Sequence, residues 1–204
     1  MNIQTTISIC LFLFLVGCNF AQDKSYYSQF KNENLSYTWE FNPALNESGG
    51  HTYNSTYFEI KKYIFPNVSA VPYETQYKHE EGHILLGQER GIEDMDKWEL
   101  EKFGELNLTD HDDYRKYIIS VDEGLADVYM FTYFNDSRSK KYREWIFANK
   151  KTYAKAQQHY QGSNYVYYAV NNGIYPDLKA IRQDFGSREQ YYSYKKFLQT
   201  FSPD

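Results

Sequence analysis

The stretch YKHEEGHILLGQERG, residues 77–91, decides how the chain is read. It holds two of the five histidines, and its centre is His79-Glu80-Glu81-Gly82-His83. Pro72 breaks the pattern before it and Gly91 offers the left-handed residue that closes a helix, so a helix is expected over 73–90. On a helix, two histidines four positions apart differ by only about 40° in azimuth, so both rings leave one face and can share one metal ion. A charged surface helix that happens to carry two histidines is the competing reading.

Glu80, directly after the first histidine, can lean over the same ion from the side. Neutral imidazoles suit Zn²⁺, and a glutamate so placed takes a proton from an attacking water as general base. A chance match to His-Glu-x-x-His in a chain of this composition has odds of roughly one in a hundred, so more is needed. Zinc requires a third protein ligand while one position stays open. The candidate lies in YIISVDEGLADVYMF, residues 117–131, where Ile119, Glu123, Ala126 and Met130 share one helical stripe. A carboxylate among apolar neighbours is costly unless paired or coordinated, so Glu123 needs a partner that a bound ion would supply. Asp127, one turn beyond, is placed to accept the other ring N–H of a ligating histidine. The alternative is an ordinary amphipathic helix with Glu123 at its rim.

Together HEEGH and DEGLAD resemble the motifs of the gluzincins, the glutamate branch of the zinc metallopeptidases, over the span from His79 to Asp127. The resemblance implies that His79, His83 and Glu123 bind Zn²⁺, that Glu80 is the base, and that Asp127 supports a ligand. It further implies a zincin-like domain with HEEGH on its active-site helix, and a peptide or protein as substrate. One departure stands out: the interval from His83 to Glu123 is longer than in the best-known members. GIEDMDKWELEKFGELNLTDHDDY, residues 91–114, is therefore expected to loop out and return.

Other metal readings fit less well. A metzincin extension would need Gly at position 86 and His or Asp at 89, where Leu86 and Glu89 stand. Glu89 remains an alternative third ligand. His111 opens a charged helix start and is expected to be solvated; His51 and His159 are isolated. No oxyanion donor is identified, although His159 and Tyr160 lie downstream and can fold back over the site. TYFEIKKYIF, residues 56–65, is expected to offer an edge along which an extended substrate pairs. No serine or cysteine nucleophile motif, phosphate-cradling loop or dinucleotide fingerprint is present.

Working outward, SYTWEF (36–41) and TYFEIKKYIF suit strands, and NPALNESGGH (42–51) between them reads as a loop. After Pro72 the chain reads as helices: 73–90, 92–105, a third opened by Thr109 and running to about 134, then 138–160, 165–171 and 187–201. Strands first and helices after give an α+β class: a small N-terminal strand region followed by a mainly helical domain.

Residues 1–21 read as an export signal. ISICLFLFLV, residues 7–16, is uncharged and apolar but too short to span a bilayer. LVGC, residues 15–18, resembles the lipobox of bacterial lipoproteins and implies cleavage before Cys18 with lipid attached there. NFAQD offers a second exit, after Ala21. Either way the mature protein is extracytoplasmic, secreted or membrane-anchored, and 22–204 forms one domain of ordinary size. Cys10 and Cys18 both fall in this segment, so no disulfide is expected in the mature chain. Asn-x-Ser/Thr triplets begin at Asn34, Asn46, Asn54, Asn67, Asn107 and Asn135; they mark glycosylated loops in a eukaryotic secretory protein and little in a bacterium.

The net charge of −5, with no long basic block, argues against nucleic acid as a partner. Twenty-two tyrosines can build a core and still present hydroxyl donors. An exported zinc peptidase is the function these signals favour. The contrasting functions are a tyrosine-rich, exported or lipid-anchored interaction module with a structural or absent metal, and a zincin scaffold without activity.

Overall fold

In the computed structural model, which describes residues 25–42, 44–45, 50–60 and 73–201, a short helical stretch at 25–28 precedes the strands and the other helices follow them. The export segment, both cysteines, the stretch FPNVSAVP and the triplets at Asn46 and Asn67 lie outside those residues. The asparagines of the other four triplets are exposed. The described residues fall into two compact units, one ending at Asn34 and one beginning at Leu35. In the first unit Tyr26 meets Tyr27 and Phe30 edge to face. The second unit holds the sheet, the helices described below and the candidate site.

Its strands are β1 (Thr38–Phe41), β2 (Gly50–Asn54) and β3 (Tyr57–Ile60), in the order β1-β3-β2. β3 is parallel to β1, with Thr38 opposite Tyr57, and antiparallel to β2, with His51 opposite Glu59. Alternation in TWEF works as expected, with Trp39 buried between exposed neighbours. Phe58 and Ile60 are fully buried, and the rings of Trp39 and Phe58 both pack against Tyr77 at 5.2 and 5.4 Å. β3 is flanked on both sides, so the described part of the segment expected to offer a free edge offers none, and residues 61–65 lie outside the described residues. The edge beside the site is β2, whose first two residues, Gly50 and His51, fall in the stretch expected as loop.

Helix α1 (Tyr73–Arg90) starts and stops where Pro72 and Gly91 place it. Gly91 takes φ 66°, and the Ile92 amide donates back to the Gly87 carbonyl at 2.8 Å, the wrap that satisfies a helix C-terminus. The interval 91–114 leaves and returns as α2 (Met95–Leu106), capped by Asp94 and close to the helix expected over 92–105, followed by the first turn of α3 (His111–Tyr133). Trp98 of α2 stacks flat on Phe185, centroids 5.4 Å apart. Asp110, not Thr109, caps α3, accepting from the Asp113 amide at 3.0 Å. The remainder is α4 (Ser137–Asn149), α5 (Ala154–Asn171), α6 (Leu178–Gln183) and α7 (Arg188–Thr200). The stretch expected over 138–160 is thus broken after Asn149, and α5 runs unbroken through 165–171.

The main core is built largely of tyrosine: Tyr114, Tyr117, Tyr165, Tyr191 and Tyr194 pack with Val121, Phe185 and Phe197. The polar tips of Tyr114 and Tyr117 are satisfied inside. Tyr114 Oη donates to the Gly186 carbonyl at 2.8 Å, and Tyr117 Oη donates to Gln190 Oε1 at 2.6 Å while accepting from the Gly186 amide at 3.1 Å. Among the described residues no helix is long and apolar enough to cross a membrane.

Candidate metal centre

The middle of α1 is polar yet buried: Lys78, His79, Glu80 and Glu81 are all nearly inaccessible. Burying such groups costs several kcal/mol each unless partners are supplied, so each must be accounted for. Glu81 accepts from the Lys78 ammonium, from Tyr37 Oη at 2.5 Å and from Tyr129 Oη at 2.8 Å. The Lys78 ammonium lies over the Tyr133 ring, 4.0 Å from its centroid. This face is structural and fastens α1 to its surroundings. His79, Glu80 and His83 serve the other face.

Helices α1 and α3 touch at Gly82, where a Cβ would lie 2.7 Å from the Ala126 Cα. Gly82 precedes His83 and Ala126 precedes Asp127, so this contact lays HEEGH alongside DEGLAD. His79 Nε2 lies 3.0 Å from His83 Nε2 and 3.0 Å from Glu123 Oε2, and His83 Nε2 lies 3.6 Å from that same oxygen. A tetrahedral ion with bonds of about 2.0–2.2 Å sets its ligand atoms roughly 3.3–3.6 Å apart, so one ion fits among these three donors with little adjustment.

The acids of DEGLAD divide the remaining work. Asp127 Oδ1 approaches His79 Nδ1 to 2.9 Å, an ion-pair contact at an angle outside the hydrogen-bond range. Asp122 Oδ1 lies 2.8 Å from His83 Nδ1. Each histidine thus has a carboxylate behind it and its Nε2 turned to the common point, the orientation a metal-ligating imidazole needs. Asp122 was not anticipated, because a neighbour of Glu123 along the sequence points about 100° away around the helix.

His159, which the sequence offered only as a residue that can fold back over the site, does reach it, but beside the carboxylates and not in the cavity lining. It is 4% exposed, with Nε2 3.3 Å from Glu123 Oε2 and Nδ1 3.1 Å from Asp127 Oδ2. It arrives through backbone contact between α3 and α5. A Cβ at Gly162 would lie 1.7 Å from the Ser120 carbonyl oxygen, and one at Gly124 2.2 Å from the Gly162 carbonyl carbon. The small pair Gly162-Ser163, one turn beyond the histidine, was the available signal.

Glu80 is held by β2. Thr52 Oγ1 donates to its Oε2 at 2.7 Å, and a Cβ at Gly50 would lie 2.5 Å from its Oε1. A cavity of about 300 Å³ opens here, lined by β2, His79, Glu80, His83, Glu123 and Lys155. His51 also lines it, its ring edge-on to Tyr53 at 4.5 Å.

Three residues weighed from sequence sit elsewhere. Tyr160 turns to Lys150 and Phe201, Glu89 pairs with Arg182 at 2.6 Å, and His111 Nε2 lies 2.7 Å from Glu99 Oε1.

Burial opposes charge on His79, yet Asp127 and Glu123 outweigh it and hold the ring up to about 9. Burial likewise opposes charge on Glu123, and His159, His79 and His83 together pull its carboxyl well below the usual range. Such perturbed groups converging at a cavity make a candidate functional site. Among the described residues two donor sets could hold a metal, His79/His83/Glu123 and His79/Asp127/His159, with His79 common to both. All three members of the first set line the cavity, whereas Asp127 and His159 do not. No protein-family model, curated protein or solved structure significantly matches the chain.

Proposed function

We propose that the chain is an exported zinc-dependent peptidase in which His79, His83 and Glu123 hold Zn²⁺ and Glu80 is the general base. The observation that carries this reading is the triangle of donors, 3.0, 3.0 and 3.6 Å on its sides, opening on a cavity that a buried carboxylate overlooks. Two imidazoles and one carboxylate with a fourth position left free is the donor set of a catalytic rather than a structural zinc site. The bound ion would supply Lewis acidity to a substrate carbonyl and to the attacking water.

The protein's part follows from the side chains. Thr52 engages Oε2 of Glu80, so Oε1 is the oxygen left to take the proton of the water that adds to the carbonyl carbon. When the C–N bond breaks, the same oxygen returns that proton to the departing amine. The outer edge of β2 supplies a backbone against which an extended peptide can lie. Export rests on the apolar run 7–16, and N-terminal sequencing of the native product should begin at Cys18 or Gln22.

The decisive comparison is Glu80→Gln with Glu123→Ala. Glu80→Gln should keep the fold and one equivalent of zinc while turnover of a peptide library falls at least about a hundredfold. Glu123→Ala should lose metal and activity together. If wild type and Glu80→Gln both hold zinc and are equally inert, the peptidase gives way to a tyrosine-rich interaction module.

A further inference from the structure

We infer that His159 is a positioning residue of this centre: it ties the ligand Glu123 to Asp127, the carboxylate behind His79, and so sets the geometry of the metal site from α5. The inference rests on the metal reading above and extends it to a residue outside both motifs.

His159 does not line the cavity, so it acts through the groups it touches. Its Nε2 reaches Glu123 Oε2, the same oxygen that faces both ligating rings, at 3.3 Å. Its Nδ1 reaches Asp127 Oδ2 and Oδ1 at 3.1 and 3.2 Å. Asp127 in turn approaches His79, whose Nε2 lies 3.0 Å from Glu123. The contacts close a ring: Glu123, His159, Asp127, His79 and back to Glu123.

Around that ring every carboxylate has an imidazole on either side, and neither acid can swing without breaking a contact. Asp127 is fully buried and Glu123 nearly so, which makes an unpartnered oxygen on either expensive. The Tyr142 ring, tilted against His79 at 6.0 Å and edge-on to His159 at 6.1 Å, packs on the cluster and does not line the cavity. The backbone contact between Gly124 and Gly162 prevents α5 from drifting, so His159 is a fixed strut.

A filler role and a positioning role predict different orders among three substitutions in the mature protein. His159→Phe keeps a ring but removes the polar contacts to Glu123 and Asp127, together with the 3.5 Å contact between Nδ1 and Tyr142 Oη. His159→Gln places an amide near the Nε2 position facing Glu123, and His159→Asn places one near Nδ1 facing Asp127. Zinc affinity is read by chelator competition on folded protein, and ligand geometry by the visible absorption of the Co²⁺ form.

Positioning predicts that His159→Phe weakens zinc about ten- to a hundredfold and shifts the Co²⁺ bands, with the two amides each recovering part of the loss. Should His159→Phe not fold, the amide variants carry the test, each several-fold weaker than wild type with displaced bands. The inference is overturned if folded His159→Phe, or both amide variants in its absence, match wild type in affinity and spectrum. It is also overturned if wild type takes up two equivalents of zinc and one is lost with His159, since the residue would then be a ligand. A wild type that binds no zinc removes the metal reading and this inference together. A wild type that binds zinc but cleaves nothing removes only the peptidase reading.

Discussion

Glu80 has one oxygen already engaged by Thr52, and that bond is the only side-chain hydrogen bond its carboxylate makes among the described residues. A hydrogen bond to a charged acceptor is worth about 1.5–3 kcal/mol, and each 1.4 kcal/mol is about a factor of ten in rate. Thr52→Val keeps the volume and removes the donor, so kcat should fall roughly ten- to a hundredfold with KM and bound zinc little changed. Thr52→Ser should restore most of the rate. Loss of zinc in Thr52→Val, or no change in kcat, would show that Thr52 does not orient the base. The two glutamates of HEEGH look alike in sequence, but Glu81 faces the tyrosine and lysine side of α1 and Glu80 the cavity. Helical spacing separates them by about 100° and so indicates that they differ. It says nothing of what waits on Glu81's side, because Tyr37 and Tyr129 come from distant parts of the chain.

At the scale of the elements, two glycine contacts hold the centre together, Gly82 on Ala126 and Gly124 on Gly162. A Cβ at Gly162 would strike the Ser120 carbonyl, which is backbone and cannot rotate away. Gly162→Ala should therefore part α3 from α5, destabilise the fold by at least about 1–3 kcal/mol and lower zinc affinity as His159 withdraws. Gly104 in α2 meets nothing within 4 Å, and Gly104→Ala should instead stabilise by about 0.5–1 kcal/mol with zinc binding untouched. Thermal melts with zinc titrations of both variants check the contrast. Much of the helical pattern could be read from local signals: Pro72 and Gly91 bracket α1, and the spacing of HEEGH and DEGLAD puts their side chains on usable faces. β2 could not, because GHTYN lacks the alternation of a half-buried strand. The break after Asn149 carries no glycine or proline, and α6 is too short to show a period. The contact of His159 with Glu123 escaped for a different reason: it exists only because two distant glycines let their helices touch.

For the whole molecule, the proposed centre would couple metal, proton and fold. An ion bound only by the folded state stabilises it by about 4 kcal/mol at a thousandfold excess over Kd, which for a chain of this size raises Tm by roughly 8–16 °C. A chelator should reverse the gain. The pH dependence has opposite signs with and without metal. In the metal-free protein His79 is raised from 6.5 to about 9, so its contribution is fully present below pH 6.5 and is lost as pH rises through about 9. Zinc must displace that proton, so its affinity climbs over the same interval. The metal-free Tm should therefore fall from pH 6.5 to 9 while the zinc-induced increment grows; parallel trends would mean that zinc is not bound through His79. The division of ligands between α1 and α3 also bears on how the chain assembles. Helix α1 alone offers an ion two imidazoles, and the carboxylate comes only when α3 settles on Gly82. During refolding with Co²⁺ present, the intense visible colour of a four-coordinate ion should therefore develop with the docking of those two helices rather than with helix formation itself, giving the protein a built-in optical clock for that one step.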